Sequence, residues 1–177
     1  MNDENTAPGG YNLRSGLRLS PAQQKEIETL LTRLVQTLPA HFLLLTDVTG
    51  QVVSARGGQN AKNLVALGSL VAGDLAASQE IARLTGQYQN AQMILRQGES
   101  MHTFITEAGH QLALLVQVPD SVPLGWARIL IKNAAGDLEG IVTAAAEQPS
   151  EASPALLLEE ENLPDLFDGV FDELWKG

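Results

Sequence analysis

The residues able to do chemistry are few. Histidines stand at positions 41, 102 and 110, so no two are three or four residues apart. That spacing is what puts two imidazoles on one helical face as metal ligands, and no acidic pair lies beside any of the three at ligand distance. A structural or solvated role is expected for each. There is no cysteine, which excludes disulfides, thiolate metal sites and a cysteine nucleophile. Neither a Gly-x-Ser-x-Gly elbow nor a Gly-x-x-x-x-Gly-Lys-Ser/Thr phosphate loop is found. Asp47-Val48-Thr49-Gly50 has the form of a nucleotide-protein switch motif. Without a phosphate loop it reads instead as a hairpin turn, in which Asp bonds its own backbone and Gly takes positive φ. Arg56-Gly57-Gly58 could cradle an anion ahead of a helix, but two glycines before a helix are usually just a turn. No active site, metal or cofactor is expected.

The elements that would position these residues can be read from hydrophobic spacing. Ser20-Pro21-Ala22-Gln23 is a helix start, with a capping Ser, a Pro at the first position and Gln three residues on. Ile27, Leu30, Leu31, Leu34, Val35 and Leu38 follow as one helical stripe, which Pro39 ends. Residues 42–47 and 51–56 read as two strands around the tight turn, and residues 60–85 as a long second helix. Three strands follow at 88–97, 101–107 and 111–118, then a last helix with its stripe on Ala127, Ile131, Ala134, Leu138, Ile141, Val142 and Ala145. The expected fold is α+β in the order α-β-β-α-β-β-β-α. Its central five-stranded antiparallel sheet has one helix on one face and two on the other. Residues 1–19 lack periodicity and read as a flexible arm, 20–146 as the domain, 147–155 as a linker and 156–177 as a tail.

Charge divides along the same boundary. Residues 1–146 hold 12 acids and 10 bases, a balance of −2, whereas residues 147–177 hold 9 acids and one base, a balance of −8. Neither part has the basic excess that a phosphate backbone requires, so nucleic acid is not an expected partner. The opening 20 residues have no apolar leader core, and no apolar run approaches the ~18 residues that span a bilayer. Membrane insertion is therefore not expected, and a cytoplasmic location is.

Two surfaces look made for contact. On a helical wheel of the second helix, Leu64, Leu67, Leu70, Val71, Leu75 and Ile81 gather on the side expected to meet the sheet. The other side carries Val65, Ser69, Ala72, Gly73 and Ala76, with Lys62, Gln79, Glu80 and Arg83 at its ends. Small, uncharged side chains let another backbone approach closely, and a helical Gly costs ~1 kcal/mol against Ala unless packing compensates. The plainer reading is a surface helix filled out with Ala. Asp74 projects toward the apolar side and is expected at its rim. In the tail, Leu163, Leu166, Phe167, Val170, Phe171 and Leu174 repeat the helical spacing, with Asp168, Asp172 and Glu173 opposite. A helix of about 13 residues is marginal alone, so it should fold on a receiving groove, of a partner or of its own domain. Its acidic polar face disfavours a lipid surface.

The element order, the Leu44-Leu45-Thr46-Asp47-x-x-Gly50 hairpin and the Ala/Gly-rich second helix together resemble the Roadblock (dynein light chain) family, whose fold is akin to longin and profilin. The likeness is to its bacterial members that regulate Ras-like GTPases, and it covers about residues 21–146. It implies a homodimer with the second helices paired, which would account for their small-residue face, and with the strand at 88–97 joined across a two-fold axis. It further implies a face offered to a Ras-like small GTPase, activated by reshaping rather than by an arginine finger. In some bacterial members a C-terminal extension also contacts the GTPase. From another class of function, a small-molecule sensor would need a cavity between sheet and helix with convergent polar groups.

Overall fold

The computed structural model describes residues 10–58, 63–86 and 93–144. Helix α1 (Pro21–Thr37) starts as its sequence requires. The Ser20 hydroxyl accepts the Gln23 backbone N–H, and the Gln23 side chain accepts the Ser20 N–H, which satisfies two donors that a helix N-terminus leaves open. Gln23 is buried, and its amide also donates to the Ile141 carbonyl at 2.7 Å. That bond ties α1 to α3 (Leu124–Thr143).

Strands β3 (Phe42–Asp47), β4 (Val52–Gly57), β5 (Met93–Gln97), β6 (Met101–Ala108) and β7 (Leu112–Pro119) form one antiparallel sheet in the order β4-β3-β7-β6-β5. The two most apolar strands, β3 and β7, lie side by side in its interior, pairing Phe42 with Gln117 through Asp47 with Leu112. Side chains alternate across a strand, so each feeds two cores. Leu43, Leu45, Leu112, Leu114, Val116 and Val118 pack with α1 and α3. Phe42, Leu44, Ala113 and Leu115 pack with Val71 and Leu75 of α2 (Leu64–Leu84). The sheet thus carries two helices on one face and one on the other, as the order of elements led one to expect.

The amino-terminal expectation needs correcting. Residues 1–9 lie outside the described residues, but 10–19 are no flexible arm. They fold into a hairpin of two short strands, β1 (Tyr11–Asn12) and β2 (Arg18–Leu19). Its Leu13, Leu17 and Leu19 are buried in the α1/α3 core. Two-residue strands leave no alternation long enough to read, and only the tertiary core gives these leucines a place to go.

The turn between β3 and β4 is the Asp-centred one expected. Asp47 Oδ1 accepts the backbone N–H groups of Thr49 and Gln51 and the Thr49 hydroxyl, at 2.7–2.9 Å, and Gly50 has φ 86°. A Cβ on Gly68 of α2 would lie 2.3 Å from the Gly50 carbonyl oxygen. Helix and turn therefore meet backbone to backbone, a contact that only glycine permits.

Candidate functional site

The site builds from α2. Its sheet-facing residues are Gly68, Val71, Leu75 and Ala82, and the close meeting of Gly68 with Gly50 fixes the rotation of the helix about its axis. That rotation differs from the one the wheel suggests. Leu70 and Ile81, expected against the sheet, are 69% and 63% exposed. With Leu84 (70% exposed) and the exposed Ala66, Gly73 and Ala77, they make an outward strip with the i, i+3/i+4 spacing of one helical face. A helix apolar on all sides gives no unique wheel direction, so placing its largest residues inward is wrong for these two. The signal that could have found the strip is the all-round apolarity itself, which requires cover on both sides.

Apart from Gly73, which belongs to the strip itself, the described residues singled out on α2 fall on its flank, about a quarter turn away. Val65, Ser69, Gly73, Ala76, Glu80 and Arg83 are exposed, whereas Ala72 is half-buried. A Cβ on Gly73 would meet nothing within 4 Å, so the protomer itself makes no use of that glycine. Glu80 and Arg83 pair with each other at 2.6 Å and 2.8 Å. The Arg83 guanidinium holds the Glu80 carboxyl below its usual range, and Glu80 holds Arg83 above its own. Lys62 and the tail residues Leu166, Phe167, Val170, Phe171 and Leu174 lie outside the described residues.

Asp74 is half-buried, with one oxygen of its carboxylate partnered. Its carboxylate takes Arg96 of β5 at 2.7 Å, which identifies the flank of α2 that looks toward β5. Leu70 and Ile81 lie on that same flank. Beside them β5 has β6 on one side, and among the described residues no strand on the other. Outward apolar helix and open strand edge are thus neighbours. On the opposite flank, Ala72 and Ala76 line a crevice of about 100 Å³ with Val48, Gln79, Glu107 and His110. The space between α2 and the sheet that a ligand pocket would need is filled by Phe42, Leu44, Ile105 and Leu115.

The other candidates for chemistry resolve into structure. Burial raises the Asp47 carboxyl, but hydrogen bonds from Thr49, Gln51 and Ser15 outweigh that and hold it below the usual carboxylate range. Arg56 is taken up by Glu28 of α1 and by the carbonyl of Ala55. Gly57 and Gly58 both sit at φ 70°, and a Cβ on Gly57 would strike the His41 carbonyl. This pair is a turn built for close approach. Among the described residues no three His, Asp or Glu side chains are grouped to hold a metal ion. Helix α2 is long and apolar enough in composition to cross a bilayer, which a search for unbroken apolar runs does not register, yet its inner side is committed to the sheet.

No family model matches the sequence, and none of the curated proteins does. Solved structures match it over most of the domain. An MglB with a tetrameric arrangement is 29% identical, with a TM-score of 0.67, covering 75% of this chain and 99% of that one. The gliding protein MglB of Thermus thermophilus is 28% identical, with a TM-score of 0.66 and the same coverage. A Roadblock/LC7 domain from Streptomyces avermitilis shares the fold at 16% identity, with a TM-score of 0.59 over 65% of this chain and 96% of that one. The chain has the Roadblock fold. Among the described residues, the outward strip of α2 and the outer edge of β5 have no partner.

Proposed function

We propose that this Roadblock protein is a non-catalytic, homodimeric regulator of a Ras-like small GTPase. The observation that carries the reading is the adjacency of the α2 strip (Leu70, Ile81 and Leu84) to the open edge of β5. Two copies related by a two-fold axis would bury the strips against each other and pair the edges, removing an exposed apolar face and an unpaired strand together. The likeness to MglB structures at 28–29% identity supports the same reading. The paired helices would then offer the flank that carries Val65, Ser69, Ala72 and Ala76 to the GTPase. Regulation on this scheme comes from holding the GTPase in a hydrolysis-competent or a nucleotide-specific shape, with no residue of this chain entering the reaction. The tail residues Leu166, Phe167, Val170, Phe171 and Leu174 supply a second, acidic-backed contact.

The test is single-turnover GTP hydrolysis by a Ras-like GTPase encoded beside this protein, with and without it, together with binding to the GDP and GTP forms. Binding that differs between the two forms, with hydrolysis altered, is expected. No binding to either form would refute the reading.

A further inference from the structure

The amino-terminal hairpin is held in an unusual way. Three leucines anchor it in the core. Among the described residues, every hydrogen bond that leaves it runs to the β3–β4 turn. The Ser15 N–H donates to Asp47 Oδ2 at 3.1 Å, the Arg14 N–H to Gln51 Oε1 at 2.8 Å, and the Gln51 amide to the Tyr11 hydroxyl at 3.1 Å. One carboxylate therefore serves two masters: Oδ1 shapes the turn and Oδ2 holds the hairpin. On its other side the same turn abuts α2, where a Cβ on Gly50 would come within 2.8 Å of the Gly68 carbonyl and the Ser69 backbone. The contact is backbone on backbone, with the Thr46 methyl beside it, and packed backbone passes displacement on. Four residues of α2 are buried, against six of α3, a helix of nearly equal length. The seat of α2 is thus the more easily moved.

We propose that residues 10–19 are a strap whose docking on the β3–β4 turn sets the seat of α2, with the carboxylate of Asp47 as its fastener. Strands this short do not persist alone, so the strap docks and undocks as a unit, at a free energy below that of global unfolding. Undocking frees Asp47 Oδ2, loosens the turn and relaxes the contact at Gly68. Whatever engages the strap then alters the presentation of α2. The consequence for partner binding rests on the reading of α2 as the partner face; the coupling itself does not.

The experiment is amide hydrogen exchange on the full chain, comparing the protein with Asp47→Asn and Gly68→Ala at one concentration. Asn retains an oxygen for the turn but turns an NH2 toward the Ser15 N–H, two donors face to face. Exchange of residues 13–19 should accelerate at least ~10-fold and that of 64–72 several-fold, with β7 unchanged as the sign of an intact fold. Coupling is reciprocal, so Gly68→Ala, which acts on the helix side, should accelerate exchange in the strap. A released strap with α2 unchanged would overturn the coupling, and an unreleased strap in Asp47→Asn would overturn the fastener. If Asp47→Asn does not fold, Gly68→Ala decides alone, and unchanged strap exchange there overturns the proposal. Titrating a GTPase against both variants then judges the partner face separately, since exchange is read without one.

Discussion

Removing the apolar strip of α2 should dissociate the protein without unfolding it. In the double variant Leu70→Ala, Ile81→Ala, two side chains that are 69% and 63% exposed in the protomer lose most of their apolar surface. Complete burial of a Leu or Ile side chain stabilises by ~1.5–3 kcal/mol, so covering two-thirds of one contributes about 1–2 kcal/mol. A two-fold interface counts every residue twice, which gives about 4–8 kcal/mol for the four side chains. Alanine retains part of that surface, so the expected loss is about 3–5 kcal/mol, or between two and four orders of magnitude in the dimer dissociation constant. Sedimentation velocity across a protein dilution series measures this directly. Because both side chains face outward in the protomer, urea denaturation at concentrations where parent and variant are both monomeric should give stabilities within about 0.5 kcal/mol of each other. A dissociation constant changed less than about fivefold would place the self-contact elsewhere. A large loss of monomer stability would mean that these residues are packed internally, contrary to their exposure.

Two further outcomes follow from the interior. The folded-state pKa of Asp47 is depressed, so the folded chain binds fewer protons there than the unfolded chain. Its contribution is fully present above the unfolded value of about 4 and is lost as pH falls through the lower, folded one. Urea midpoints measured from pH 6 down to pH 2.5 should therefore decline less steeply for Asp47→Asn than for the parent, and parallel curves would contradict the assignment. Leu114, fully buried in β7, should cost about 2–5 kcal/mol as Leu114→Ala, read by the same denaturation.

Much of the frame is legible in the sequence because it rests on local rules. The capping pair Ser20 and Gln23 fixes where α1 begins, and the Asp47 to Gly50 turn follows from what an Asp side chain does to its own backbone. The unbroken apolarity of β3 and β7 requires cover on two faces, and the helices on either side of the sheet supply it. The candidate interface is legible in its helix but not in its direction. Val65, Ser69, Gly73 and Ala76 are on the surface as expected, whereas Leu70 and Ile81, which face outward beside them, read from the sequence as core.

The sequence by itself thus determined the elements and their order, since each depends on periodicity and on short-range hydrogen bonding. Only the tertiary structure decided which side of α2 faces out, that the hairpin at 10–19 is anchored, and that the open edge of β5 lies beside the apolar strip. The physical reason is common to all three. Each is set by contacts between residues far apart in the chain (Gly50 with Gly68, Ser15 with Asp47, Asp74 with Arg96), and no local pattern encodes which distant backbone a glycine will touch.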